Sequence, residues 1–486
     1  MKAKRATSRR AHRGARKPIR AAKKMPLINP HAAAIDAGSV EHWVCVPEDS
    51  VPEGQDNVRV FGGFTADLDQ LVEWLLACKV KTVAIEATGV YSLAPMDKIE
   101  AAGIEVVLTN ARHCKNLPGR KTDLKDCEWL QQLHSYGLLN GSFRPTEDIR
   151  RLRALMRHRD NLTASCGREV QHMQKALQQM NMHLHHAVSD LVGATGLRIL
   201  DAILGGERDP EVLVQLRDDK LCKKTTKEEL KKALQGDWQE EQLFVLGQAL
   251  ETYRHLLKQM GQCDQEVEKA LAAVVIPPRQ ESEDPAPPNP KAKDSANTKP
   301  KKTRFGARRD TASRELKNDL AEELKRICGV DLTQIKGLNI LGVLIIISEI
   351  GLDMSQWRSA KAFCSWLGLC PGNKISGGKV LDSRTVHVVN RVSILLKTVA
   401  PSIGKTDTWL GVFHRRMRAR LGPAGANTAT ARKLACLIYH LLRYKEEFID
   451  VDQLIFVDKI RRQRMSRLKK LAEELGMQVV EQQKAA

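Results

Sequence analysis

Four acidic residues stand where they could share divalent cations. Asp36 ends a short apolar run that begins at Ala32, and Glu86 closes another, Val83-Ala-Ile, just before Ala-Thr-Gly. Asp123 and Asp126 are three apart in a segment that reads as a helix, about 60° apart in azimuth and so on one face. Three elements could thus aim four carboxylates at one point. Two carboxylates about 4 Å apart repel by about 4 kcal/mol at an effective dielectric near 20, and cations relieve this. Mg2+ prefers such hard oxygen ligands. Two ions roughly 4 Å apart can activate an attacking oxygen and stabilise a leaving one in phosphodiester cleavage. Singly, each acid has a plainer reading: Asp at a strand end favours a turn, and Asp123 and Asp126 at a helix start favour the helix dipole. The combination is what points to metal chemistry.

A possible nucleophile lies far downstream. Ser376 sits in a glycine-rich, basic loop, Gly368-Leu-Cys-Pro-Gly-Asn-Lys-Ile-Ser-Gly-Gly-Lys379. The loop is not a nucleotide-binding P-loop, because Gly378 stands where lysine is required. Glycines beside Ser376 would let a DNA backbone approach closely, and Lys374 and Lys379 could neutralise a phosphate. The hydroxyl could then attack phosphorus if a base or metal takes its proton. Read alone, Ser376 is an ordinary turn serine. Arg384, Arg391, Arg415 and Arg416 are further candidates for nucleic-acid contacts.

The elements that must position the acids follow from hydrophobic pattern. His31 to Asn140 reads as one domain. Strands are expected at Ala32 to Asp36, His42 to Val46 and Val58 to Phe61. A helix capped by Thr65 follows, with Leu68, Leu71, Leu75 and Leu76 on one face. Lys81 to Ala87 is a buried strand, then come a helix to Ala102, a strand from Ile104 to Leu108, and a helix from near Thr122 to Tyr136. A meander followed by alternation gives a mixed sheet with helices packed on it.

Pro145 to about Val275 is helical and charged, with Leu152, Leu155, Leu162, Val170, Met173 and Leu177 in a loose heptad-like stripe. A second long helix is expected from Glu240 to Leu271. The two could form an antiparallel coiled coil, an oligomer contact or a spacer within one chain. Residues 276–312, rich in Pro, Lys, Asn and Ser, form a basic linker expected to be disordered. Residues 313–448 read as a mostly helical domain, with helices at Leu338 to Ile350, Ser359 to Leu367 and Thr385 to Val399, the Ser376 loop between the last two, and two further helices. Residues 449–486 read as a charged C-terminal helix.

Lys and Arg outnumber Asp and Glu by 78 to 58, a net charge of +20 that suits a polyanionic partner. The first 30 residues carry Lys and Arg but no acid. They read as a disordered arm gripping phosphates, as a transit-like segment, or as sequence upstream of a true start at Met25. The apolar run near Ile340 to Ile347 is far shorter than the roughly 20 residues of a membrane span. Eleven cysteines without CxxC or zinc spacing suggest reduced, mostly buried thiols in a cytosolic protein.

With these residues in view, the first domain resembles the ribonuclease-H-like, RuvC-like domain of DEDD insertion-sequence transposases that carry a catalytic serine, the bridge-RNA-guided recombinases. The matching stretches are Ala34-Ile-Asp-Ala-Gly38, Val83-Ala-Ile-Glu-Ala-Thr-Gly-Val-Tyr91 and Gly119-Arg-Lys-Thr-Asp-Leu-Lys-Asp126. Downstream, Ile327-Cys-Gly-Val-Asp331 through Gly337-Leu-Asn-Ile-Leu-Gly342 resembles the family's hairpin-like helical entry, and Phe363-Cys-Ser-Trp-Leu-Gly-Leu-Cys-Pro371 with Ile375-Ser-Gly-Gly-Lys379 resembles its second signature. The resemblance covers about 230 residues. It implies that the metal-binding acids fall on Asp36, Glu86, Asp123 and Asp126, and the nucleophile on Ser376, which becomes joined to DNA. It also implies Mg2+, a structured guide RNA, a homo-oligomer (dimer or tetramer) whose protomers complete the site together, and a bacterial cytoplasmic enzyme at the nucleoid. The chain departs from the family after Lys379. It has Asp382-Ser-Arg-Thr385 and Asn390-Arg391 where many members have a Lys/Arg-Gly element, which bears on Arg384 and Arg391. Two rival readings remain: a junction nuclease using only the four acids, and a noncatalytic nucleic-acid-binding protein.

Overall fold

The structure is a computed structural model. It describes residues 26–110, 123–218, 225–276, 316–382, 384–385 and 390–446, with short pieces between 462 and 477. The basic arm up to residue 25, the linker from residue 277 and most of the C-terminal helix lie outside the described residues, as do the side chains of Asp123 and Lys374. The chain divides into two compact units, Met1–Arg144 and Pro145–Ala486.

The first unit is built on a five-stranded mixed sheet of order β3-β2-β1-β4-β5. β1 (Ala32–Ala37), β2 (Glu41–Cys45) and β3 (Val58–Gly62) form the expected antiparallel meander, with Asp36 opposite Trp43. β4 (Thr82–Glu86) pairs parallel with β1, and β5 (Glu105–Thr109) parallel with β4. The helices are α1 (Thr65–Ala77), α2 (Leu93–Ala101) and α3 (Asp123–Ser135). Thr65 opens α1 as its first helical residue. The cap comes instead from Asp67, whose Oδ2 accepts from the Phe64 N–H at 3.2 Å.

Strand alternation splits the core. Ala33, Ile35, Val83 and Ile85 pack against Leu68, Leu71 and Leu75 of α1 and Met96 and Ile99 of α2. Ala34 and Ala84 face the other way, onto Cys127 and Leu130 of α3. All of these strand residues are fully buried. Sheet and helices together are compatible with a ribonuclease-H-like domain.

The second unit is largely helical. α4 (Glu147–Gln179) carries the heptad-like stripe and runs on into α5 (Leu184–Ala187), α6 (Ala194–Leu204), α7 (Pro210–Gln215), α8 (Lys227–Leu234) and the long α9 (Glu240–Ala272). α4 and α9 form an antiparallel pair within one chain. Asp148 Oδ2 accepts from Val275 N–H, Cys263 Sγ donates to Leu155 O, and Arg159 is ion-paired with Asp264 at 2.6 Å. Then come α10 (Leu316–Cys328), α11 (Ile340–Ile350) and α12 (Ala360–Trp366), β6 (Lys374–Ser376), β7 (Lys379–Asp382), α13 (Arg391–Ile403) and α14 (Trp409–Tyr444). α14 breaks at Gly422, where φ is +73°, just before Pro423. α11 packs on α4 and α13. Among the described residues, no helix is long and apolar enough to cross a membrane.

Two sequence expectations shift here. The segment containing Ser376 is a β-hairpin rather than an irregular loop. The helix expected from Thr385 begins at Arg391, because Asn390 Oδ1 accepts from the Val392 and Ser393 N–H groups and so caps it there. Thr385 instead bridges to Pro371 in extended form.

Candidate active site

Asp36 and Glu86 come together. They follow directly on the parallel rung Ile35–Ile85, and each continues the even-numbered series of its strand. Both therefore project from the face that Ala34 and Ala84 turn towards α3. Each is half-buried. The backbone just beyond is tied down: Thr88 Oγ1 donates to Ala37 O at 2.8 Å, and Ala87 N–H to Thr109 O at 2.9 Å. Thr88 escaped the sequence reading, although it belongs to the Glu-Ala-Thr-Gly run.

The path of α3 decides where the second pair of acids lies. His134 Nε2 meets Thr82 Oγ1 at 3.0 Å, where β4 begins. Gln131 Nε2 donates to Ala32 O at 3.0 Å, where β1 begins. One turn earlier, Cys127 Sγ donates to Ala34 O and Trp43 O at 3.4 and 3.1 Å. α3 thus runs antiparallel to β1 and β4, and its first turn, with Asp123 and Asp126, lies towards their carboxyl ends. Asp126 is exposed. Burial, followed by the neighbouring Cys45, raises the Cys127 thiol well above its ordinary range. Among the described residues, no three His, Cys, Asp or Glu side chains are close enough to hold a metal ion. The donor set itself suits a hard divalent cation, since all four side chains offer carboxylate oxygens.

Ser376 ends β6 and pairs with Lys379 across Gly377 and Gly378. Both glycines have positive φ, +53° and +76°, as a two-residue type I′ turn requires. The signal was present in the sequence: Gly-Gly flanked by Ile375-Ser and Lys-Val380. Ser376 and Lys379 are exposed, and so are Ile375 and Leu381, at 62% and 70%. The hairpin is closed at its base by Gly372 N–H donating to Arg384 O at 2.9 Å and by the Pro371–Thr385 bridge.

The basic candidates divide by environment. Arg384 is ion-paired with Asp382 at 3.2 Å, yet its side chain is 89% exposed. Arg416 is exposed. Arg415 donates to the Gly404 and Thr406 carbonyls, both at 2.9 Å. Arg391 is drawn inward to Asp160, with Glu349 at 3.9 Å. Glu349 is the hub of this network. It lies in the apolar helix α11, its side chain 9% exposed, and accepts from Nε and Nη2 of Arg157, each at 2.9 Å, with Arg153 at 3.4 Å. A lone acid in Ile340-Leu-Gly-Val-Leu-Ile-Ile-Ile-Ser-Glu-Ile350 is a sequence sign of such buried pairing, and it went unread.

With this geometry in hand, two comparisons bear on identity. Residues 33–182 match a transposase model of the IS110 DEDD type. Residues 331–399 match the model of the transposase IS116/IS110/IS902 family. The chain carries IS110-family transposase domains, and transposases act on DNA. Transposases of the DEDD type usually use a divalent metal. No curated protein matches the chain.

Proposed function

We propose that these IS110-family transposase domains belong to an insertion-sequence recombinase that cuts and rejoins DNA with Ser376 as nucleophile. Asp36, Glu86, Asp123 and Asp126 are the residues that would hold Mg2+, which when bound would supply charge neutralisation at the scissile phosphate. The observation that carries this reading is the shared sheet face of Asp36 and Glu86, with the start of α3 running to the same edge. Asp123 and Asp126 belong to the first turn of that helix.

The exposure of Ser376 beside Gly377 and Gly378 supports its reading as the nucleophile, since glycines leave room for a sugar-phosphate backbone. Attack of Oγ on phosphorus forms a serine–DNA phosphodiester and releases the opposite strand end as a hydroxyl, which gains a proton. Bond energy is conserved, so a hydroxyl from another strand can reverse the step and restore Ser376. Lys374, Lys379 and Arg384 are the cations of the hairpin segment that grip phosphates, and Arg416 is an exposed cation on α14, with Arg415 and Arg391 more constrained. The net charge of +20 fits DNA and a structured guide RNA together. The active form is a homo-oligomer.

The test is to incubate the purified chain with Mg2+, RNA and end-labelled DNA, then separate products under denaturing conditions. A protein–DNA adduct that Ser376→Ala abolishes is expected. If Ser376→Ala still cuts branched DNA at the wild-type rate without any adduct, the four acids act as a junction nuclease instead.

A further inference from the structure

We propose that Cys364 and Cys436 are a dithiol that low-molecular-weight disulfides, such as glutathione disulfide, convert to an intramolecular cross-link between α12 and α14. Both cysteines are free, and their Sγ atoms lie 3.5 Å apart. A disulfide bond is about 2.0 Å, so closure needs about 1.5 Å of approach. The two helices are already fixed around the pair. The rings of Phe363 and Tyr439 lie 5.8 Å apart, and Tyr439 OH donates to Trp357 O at 2.9 Å. Neither thiol has a role in the strand chemistry argued above, so this inference stands apart from that reading.

The two thiols have different environments. Cys364 is fully buried and Cys436 half-buried, which leaves Cys436 as the one open to a solute. The Cys364 contact, followed by Lys433 and Arg432 on its own helix, favours the Cys436 thiolate, while the same contact and burial hold Cys364 protonated. Thiolates are the attacking species in exchange.

The Cys436 thiolate attacks one sulfur of glutathione disulfide, forming a mixed disulfide and expelling one glutathione thiolate. The Cys364 sulfur, losing its proton, attacks the Cys436 sulfur and expels the second glutathione. Two protein thiols are oxidised by two electrons, one glutathione disulfide is reduced to two glutathiones, and the two thiol protons end on these. The link lies close to the serine hairpin in the chain: Leu369 N–H donates to Cys364 O at 2.9 Å, and Pro371, two residues on, bridges to Thr385 at the hairpin base.

The full chain is treated with glutathione disulfide, alkylated, digested without reduction and analysed by mass spectrometry. The expected product is a Cys364–Cys436 peptide pair, about 2 Da lighter than the two reduced peptides together, lost on adding dithiothreitol. It should be absent from Cys436→Ser and retained in Cys370→Ser. A stable glutathione adduct on Cys436 with Cys364 still alkylatable overturns the proposal. So does recovery of both thiols unreacted while added reduced thioredoxin is oxidised. Mapping of the wild-type chain alone decides between these outcomes if a variant does not fold.

Discussion

Asp36 and Glu86 stand side by side at the carboxyl ends of two hydrogen-bonded parallel strands, one step past the Ile35–Ile85 rung and on one face of the sheet. Neighbouring strands are about 4.8 Å apart, so two carboxylates there repel unless a cation lies between them. Mg2+ should therefore raise the melting temperature of the wild-type chain. Asp36→Asn should remove most of that rise and lower strand cleavage by about 100-fold or more, since even outer-shell changes at metal sites cost 10–100-fold. Thermal melts with and without Mg2+, together with cleavage rates, check both parts. An Asp36→Asn variant that keeps the full Mg2+ response would remove this acid from the metal site.

The hairpin that carries Ser376 depends on positive φ at both central residues. A Cβ at Gly377 or Gly378 meets no atom within 4 Å, so any penalty is conformational. Gly377→Asn should retain adduct formation, because Asn-Gly is a favoured type I′ pair. Gly377→Val should cost about 1–2 kcal/mol, or roughly 5–30-fold in occupancy of the turn, and lower adduct yield accordingly. Equal yields from the two variants would show that the turn does not set the serine.

Glu349 holds three arginines in the second unit. Glu349→Ala leaves Arg153 and Arg157 without their buried partner. Losing one member of a buried pair costs about 3–5 kcal/mol; Arg157 is 49% exposed, so solvent screening reduces this to roughly 2–3 kcal/mol. Urea unfolding should show a lower midpoint with an unchanged slope. Glu349→Gln should recover only part of the loss, because a neutral amide offers one oxygen to the fork. A midpoint unchanged in Glu349→Ala would mean the network adds nothing.

Acid should weaken the fold through buried histidines. His414, 4% exposed, meets Thr430 Oγ1 through Nδ1 at 3.0 Å. Burial first, then Arg418 and Arg415, lower its pKa below the ordinary 6.5. The folded state favours the neutral ring, so the unfolded chain binds the proton first as pH falls. The contribution is complete above about pH 6.5 and is lost as pH falls through the lower folded value. His414→Asn should be less stable at pH 7.5 but show a shallower decline between pH 7 and 5. Identical slopes in urea titrations across that range would rule His414 out as a source of the acid sensitivity.

Much of the first unit was legible because hydrophobic alternation and short apolar runs report strand position directly. All five strands and three helices fall within a residue or so of the expected places, apart from the start of α2, and Asp36 and Glu86 lie near the carboxyl ends of their strands, as expected. The hairpin differs from the expected loop because its strands are short and Ile375 and Leu381 stay exposed, so they contribute no buried alternation that would mark them as strands. The Glu349 network joins residues nearly 200 positions apart, and local pattern carries no information at that range.

By itself, then, the sequence determined which residues could do chemistry and which elements carry them, since side-chain type and period are properties of the chain alone. Asp36 and Glu86 are legible at strand ends, and Ser376 in a basic, glycine-rich loop. Only the tertiary structure decided that β1 and β4 are parallel neighbours, which turns two distant acids into one pair. It also decided that α3 runs back along them, with Cys127, Gln131 and His134 bonded in turn to Ala34, Ala32 and Thr82. Strand pairing and helix direction depend on contacts across the fold, and these exist only once the chain has closed on itself.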